Sequence, residues 1–342
     1  MRTWLLHVGE RLPVDGNARC YRYGYLAQAL ARAGHDVLRW APTFSHTDKR
    51  HRFASDRRVE IERNYAIQFV QSPGYRSNVG IGRLVDYRIL DRRLRTLMAR
   101  EVPPDLIVAA IPSLEWAEAA IDFGRAHRVP VVIDVRDPWP DGFLRALPPV
   151  ARLPGRFALG PYRRMAARIC RGADALVGVS QGYLDWALAL AGRPQRAQDA
   201  VVPLGFEPDM ISPAALQNSI AALAERGINF DQPTCMFSGS FERSYDLETL
   251  VEAARRLSDI GRKNLQFLLC GDGSKRAALE RRARKLNLKN VHFIGWADPA
   301  MLQAAASVSS IGICAYAADA TQGLPNKPFE YMAGRLAIVS SL

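Results

Sequence analysis

No stretch of this chain stays apolar long enough to cross a bilayer. The longest runs, within 174–180 and 265–270, fall far short of the about 20 residues that a spanning helix needs. A signal peptide is not expected, because the opening MRTWLLHVGERLP has only a few apolar residues before it becomes charged. Cysteine is sparse: Cys20, Cys170, Cys235, Cys270 and Cys314 are scattered, odd in number and never spaced as C-x-x-C. That excludes a disulfide framework and a dithiol redox motif, and it fits reduced core residues of a cytosolic protein. The six histidines show no ligand spacing with the cysteines, so no metal site is expected. Lysine is nearly missing from residues 1–205, where thirty of 31 basic residues are arginines.

What is present is an uneven charge and a regular rhythm. Residues 1–205 hold 31 basic against 20 acidic side chains and residues 206–342 hold 15 against 14, so nearly all of the net +12 lies in the first part. That part faces something anionic. Strand-like runs at 3–8, 35–40, 66–71, 105–111, 130–135, 175–180 and 200–204 alternate with helical patterns such as 18–33. The rhythm restarts with 233–239, 265–271, 291–296, 310–316 and 337–341, separated by helices of which 247–257 and 275–286 are the clearest. Apolar runs alternating with helices predict an α/β fold with parallel sheets. Two series predict two Rossmann-like domains, 1–205 and 206–342, with a hinge near 203–210. The polar, basic stretch 43–64 reads as a long surface excursion.

The densest local signal is TQGLPNKPFEYMAGRLAIVSSL, residues 321–342. It joins a predicted strand to a short helix at the carboxyl edge of a parallel sheet, where ligands bind. Gly323, followed by Leu324, allows close backbone approach, and Pro325 and Pro328 hold the loop without internal hydrogen bonds. Asn326 or Lys327 begins the helix, leaving N–H groups for phosphate oxygens, and Lys327 adds a positive charge. Glu330, one turn in, could accept two hydrogen bonds from a diol such as a ribose. An ordinary helix N-terminus whose glutamate complements the dipole carries the same residues, and this stretch alone does not separate the two.

The segment LPNKPFEYMAGRLAIVSS resembles the donor-site signature of GT-B glycosyltransferases of the retaining family 4, most of all the bacterial members that build O-antigen, capsule and exopolysaccharide. The likeness runs in order through GERLPVDGNARCYRYGYLAQALARAGHDV, FSHTDKRHRF, VIDVRDPWPD, ADALVGVSQGYLDWAL, VVPLGF, FSGSFERSYDLETLVEAA, LLCGDGSKRAALE and VHFIGW. It implies parallel sheets facing across a cleft, and metal-free transfer of a sugar from a nucleotide-sugar donor, a UDP-sugar foremost. The implied acceptor is a lipid-linked sugar or saccharide, and no cofactor is implied. In this likeness Glu330 takes the place of the glutamate that grips the ribose. Gln322 falls on the signature's first glutamate, keeping hydrogen bonding but losing the charge. Gly239, with Ser240 and Arg243, takes the loop beneath the pyrophosphate, where the family's usual arginine and lysine are not cleanly present. Gly295 and Trp296 take the base pocket, and Gly16 and Asn17 the flexible loop that the donor phosphates approach. Arg136 and Asp137 stand where many relatives carry a catalytic-site histidine. Asp137 could touch donor sugar or acceptor hydroxyl, or could cap the following turn. Gly271 and Gly273 read as a strand-to-helix turn.

Two arginine-rich stretches, 82–100 and 152–172, are amphipathic as interfacial helices are, although a core face with an arginine rim reads alike. With the acceptor that the resemblance implies, the expected partner is anionic lipid on the cytoplasmic face of the inner membrane. No nucleic-acid motif accompanies the charge. A non-catalytic sugar-nucleotide-binding protein and a sugar-nucleotide 2-epimerase remain competing readings. Relatives continue past a strand like 337–341 with further helices, so the second domain is expected to be incomplete and the sequence a fragment, its activity open.

Overall fold

The computed structural model describes residues 1–16, 20–76, 80–206, 210–262, 264–318, 320 and 325–341. The chain divides into two compact units, Met1–Leu204 and Gly205–Leu342. The strands of the first are β1 (Arg2–Leu6), β2 (Asp36–Pro42), β3 (Phe44–Ser45), β4 (Arg50–His51), β5 (Arg57–Glu62), β6 (Tyr65–Val70), β7 (Leu106–Ile111), β8 (Val131–Val135), β9 (Ala175–Gly178) and β10 (Ala200–Val201). Its helices are α1 (Arg22–Arg32), α2 (Ile81–Met98), α3 (Leu114–His127), α4 (Asp141–Ala146), α5 (Pro149–Ala158), α6 (Gly160–Gly172) and α7 (Gln181–Ala191). Among the described residues one sheet runs in the order β10-β9-β8-β7-β1-β2-β6-β5, parallel throughout except where β5 pairs with β6.

Successive side chains of a strand point to opposite faces, and β1 shows what that does here. Trp4 and Leu6 join the cluster formed with α2, α3, α6 and α7, while Leu5 joins Tyr23, Ala27 and Ala31 of α1 on the other face. Both faces are covered, which is why the strands read as continuous apolar runs. Trp4 meets Trp40 edge-on at 5.3 Å in that core.

The stretch 43–64 is not a simple excursion. Thr43, Phe44 and Ser45 are buried, and β5 adds an antiparallel edge to the sheet. Its sequence RRVEIE hides the strand because only Val59 and Ile61 pack inward, while the charged residues face water, as suits an edge. The basic stretch 152–172 is likewise two helices, α5 and α6, meeting at Leu159.

The second unit holds α8 (Pro213–Glu225), β11 (Thr234–Ser238), α9 (Leu247–Asp259), β12 (Gln266–Cys270), α10 (Arg276–Lys285), β13 (Val291–Gly295), α11 (Pro299–Ser307), β14 (Ile311–Cys314), α12 (Lys327–Ala333) and β15 (Ala337–Ser340). Its sheet is parallel, in the order β13-β12-β11-β14-β15. Side chains of β15 are exposed on both faces. One buried residue fastens α12 to the sheet. The Tyr331 hydroxyl accepts from the Ser238 N–H (3.1 Å) and donates to the Ile313 carbonyl (3.2 Å). Gly312 makes room for its ring, since a Cβ there would lie 2.3 Å from it. The cysteines are free; Cys170, Cys235, Cys270 and Cys314 are buried.

Candidate functional site

In the second unit, the loops that follow β11, β12 and β13 lie one upon another at the carboxyl edge of the sheet. The Gly239 N–H donates to the Cys270 carbonyl (2.9 Å), Gly271 to Gly295 (2.7 Å) and Phe241 to Asp272 (2.8 Å). This layering leaves no room for side chains: a Cβ on Gly271 would stand 1.8 Å from the Gly239 oxygen. Gly271 and Gly239 also have φ of +154° and +147°, which favour glycine. The Gly271–Gly273 turn therefore holds the neighbouring Gly239 loop in place.

Lys327, the first residue of α12, lies against this layer. A Cβ on Gly239 would lie 2.2 Å from Lys327 Nζ, so the ammonium occupies the space that only glycine leaves open. Lys327 is 7% exposed, and its Nζ lies 4.4 Å from the Tyr245 ring centre and 4.9 Å from that of Phe237. Among the described residues these two rings are the contacts of its ammonium, with no hydrogen bond or ion pair beside them. Two aromatic faces partly offset the loss of water around a cation, but they supply no counter-charge. Pro325 and Asn326 are part-buried beside it, and Glu330 is part-buried in the first turn of α12. Ser240 and Arg243 are exposed. Gly295 has φ of +86° and is covered by the Arg276 guanidinium, and the Trp296 side chain beyond it is 76% exposed. Gln322, Gly323 and Leu324 lie outside the described residues.

The first unit presents a second constellation, and only Arg136 of it was expected from sequence. Glu10, in the loop after β1, accepts from Arg39 Nη2 at 2.7 Å and from Arg136 Nη1. Arg136 Nη1 also lies 2.8 Å from His7 Nε2, and the His7 ring stacks on Tyr23 at 4.9 Å. Burial pushes the His7 imidazole down to about 3, keeping it neutral. Its Nε2 then accepts from Arg136, leaving the proton on Nδ1, a buried atom with no partner among the described residues. Burial works to raise the Glu10 carboxyl, but His7, Arg39 and Arg136 outweigh it and hold it at about 2. With His7 neutral, the two arginines carry that effect. The signal that could have found this network is Arg39 itself. A charge in the middle of a strand buried on both faces requires a buried opposite charge. Asp137 is exposed beyond β8, and Gly16 is exposed with φ of +66°; Asn17 lies outside the described residues. Among the described residues, no group of three His, Cys, Asp or Glu side chains is placed to hold a metal ion, and no helix is long and apolar enough to cross a membrane.

Residues 22–205, more than half of the chain, match the family model of the glycosyl transferase 4-like domain, and residues 232–342 match that of glycosyl transferases group 1. The chain belongs to this glycosyltransferase family. Solved structures share its two Rossmann-like domains, the GT-B arrangement of sheets and helices. An α,α-trehalose-phosphate synthase (UDP-forming) from Burkholderia vietnamiensis matches the glycosyltransferase with a TM-score of 0.67 at 15% identity, over 99% of this chain and 84% of that one. HepE of Anabaena, solved with UDP and glucose, matches with a TM-score of 0.62 at 12% identity, over 99% and 80%. WaaG, a glycosyltransferase involved in lipopolysaccharide biosynthesis, gives 0.59 at 15% identity, over 99% and 80%. No curated protein sequence matches the glycosyltransferase.

Proposed function

We propose that this glycosyltransferase is a retaining, family 4 enzyme that moves a sugar from a nucleotide-sugar donor, a UDP-sugar, to a lipid-linked saccharide in cell-surface polysaccharide synthesis. The observation that carries the donor half is Lys327: a largely buried lysine whose ammonium has no counter-charge among the described residues and sits in the space that Gly239 leaves open. A diphosphate is the chemistry that completes it. Glu330, in the same helix, takes the ribose, Gly295 and Trp296 the base, and Pro325 and Asn326 shape the approach. Anabaena HepE was solved with UDP and glucose, the Burkholderia synthase is UDP-forming, and WaaG is involved in lipopolysaccharide biosynthesis. The lipid-linked acceptor places the enzyme on the cytoplasmic face of the inner membrane.

The reaction needs no enzyme nucleophile. The acceptor hydroxyl attacks the anomeric carbon from the face that the diphosphate leaves. The sugar–phosphate bond breaks as the glycosidic bond forms, and the proton passes to the departing phosphate oxygen. Catalysis is then positioning plus stabilisation of the charge that builds on the diphosphate, which is the part assigned to Lys327. Arg136, Asp137 and Gln322 are the residues proposed to act in the transfer step.

Lys327→Met tests the donor site. Charge-assisted hydrogen bonds are worth about 1.5–3 kcal/mol each, so UDP affinity measured by calorimetry should fall at least about tenfold. The melting temperature without ligand should not fall, because the change removes a cation that has no anion among the described residues. Unchanged affinity with lost stability would make Lys327 a structural residue and end the donor reading. Incubation with UDP- and GDP-sugars and a polyprenyl-diphosphate-sugar then decides the reaction. Product identifies a transferase, interconversion of the donor an epimerase, and binding alone a non-catalytic protein.

A further inference from the structure

We infer that helix α5 is an in-plane membrane anchor that seats the first unit on an anionic bilayer. Between Asp141 and Asp174 the chain carries seven arginines and no acidic residue. Within that stretch α5 stands almost wholly outside the core. Val150, Leu153 and Phe157 are 88%, 64% and 79% exposed, whereas the core of the unit is buried elsewhere.

The orientation of α5 follows from one glycine. A Cβ on Gly155 would lie 2.9 Å from Leu147 Cδ1 and 3.0 Å from Leu144 Cδ2, so this is the side that rests on the protein. At about 100° per residue, Val150, Leu153 and Phe157 fall within an arc of about 60° on the opposite side. The sequence has therefore placed its three large apolar side chains on the outward face. Arg152 and Arg156 follow on one flank of the helix. They open on a recess of about 500 Å³ whose lining includes Arg163, Asp141 and Trp186. Arg163 Nε stands 3.3 Å from Asp141 Oδ1, with 59% of its side chain exposed.

An aliphatic and aromatic stripe beside arginines matches the boundary of an anionic bilayer, where the apolar face enters the acyl region and the guanidinium groups meet lipid phosphates. Arginine also suits phosphate better than lysine does, through its planar fork of donors. A nucleic acid would satisfy the arginines and leave Val150 and Leu153 facing water. The proposed lipid-linked acceptor gives the anchor its purpose, and in that respect it rests on the proposed function; its evidence is independent of the donor site.

The full chain is to be sedimented with phosphatidylcholine vesicles, with and without one third phosphatidylglycerol. It should bind the anionic vesicles, and rising salt should weaken binding as screening shortens the reach of the charges. Val150→Ser, Leu153→Ser and Phe157→Ser combined should cut vesicle affinity at least about tenfold, as the loss of buried apolar surface requires. Arg152→Gln with Arg156→Gln should remove the preference for anionic lipid. Melting temperature and UDP affinity of these variants should match those of the parent. Equal vesicle binding by the triple serine variant overturns the anchor. So does equal binding to neutral vesicles, a preference for RNA over vesicles, or a dimer that the triple variant dissolves with no effect on lipid. A parent chain that binds UDP but no vesicle overturns the anchor alone, and one that binds vesicles but not UDP overturns the donor reading alone.

Discussion

Lys327 and His7 are both buried residues, and they are put to different use. Lys327 has no ion-pair partner among the described residues, which suits it to take an anion. His7 gives up its charge, and its neutral Nε2 becomes an acceptor that orients Arg136. Lys327 and Glu330 were legible in the sequence because they share one short pattern with two prolines. His7, Glu10 and Arg39 were not, because their pairing depends on which strands become neighbours. Glu10 is 29 residues from Arg39 and 126 from Arg136. The network makes a pH prediction. Folded His7 takes a proton only near 3, against an ordinary 6.5, so between these values the unfolded chain binds a proton that the folded chain does not. Stability is full above 6.5 and falls as the pH drops toward 3. Glu10 acts in the same direction from 4.5 down to about 2. Between pH 4.5 and 6.5, therefore, His7 can be separated from Glu10. His7→Asn, which still offers Arg136 an oxygen, should flatten the slope of melting temperature against pH in that window. His46 and His292 are also lowered by burial, so the test is the difference between parent and variant. Parallel curves would refute the assignment.

At the scale of elements, helix α12 is the part on which the proposed donor site depends. It spans only Lys327–Ala333, too short to be stable by itself, so packing must fix its position. Tyr331 does this with one ring and one hydroxyl, bridging β11 and β14. Tyr331→Phe keeps the ring but leaves the Ser238 N–H without its acceptor, at a cost of about 1–3 kcal/mol. We expect a measurable fall in the melting temperature together with weaker UDP binding, because Lys327 and Glu330 ride on the same helix. Lower stability with unchanged UDP affinity would show that α12 keeps its place without the hydroxyl. The parallel strands were legible because burial on both faces writes an unbroken apolar run. The edge strand β5 was not, because one face toward water leaves alternate charges in RRVEIE that read as a loop. The break between α5 and α6 was hidden for another reason. Arginine and leucine suit a helix on either side of Leu159, so composition does not mark where one axis ends.

The molecule as a whole divides its chemistry between its units. The first carries the excess positive charge, the exposed apolar helix and the buried His7–Glu10 network; the second carries the candidate donor site and is nearly neutral. Each unit also has its own hydrophobic core: the Trp4 and Tyr23 clusters in one, the Phe237 cluster in the other. Two consequences follow for unfolding. Acid should weaken the first unit sooner, since the buried His7–Glu10 network and Asp199, whose carboxyl is held at about 2 by Arg193, lie there, against Glu252 and His292 in the second. UDP should stabilise only the second, by about 2.7 kcal/mol at a concentration 100 times its Kd. Scanning calorimetry near pH 5 should then resolve two transitions, and added UDP should raise one and leave the other where it was. The unmoved transition should be the one that His7→Asn shifts. A single transition that UDP raises as a whole would mean that the units unfold together, and the division of labour drawn from their separate cores would not extend to their stability.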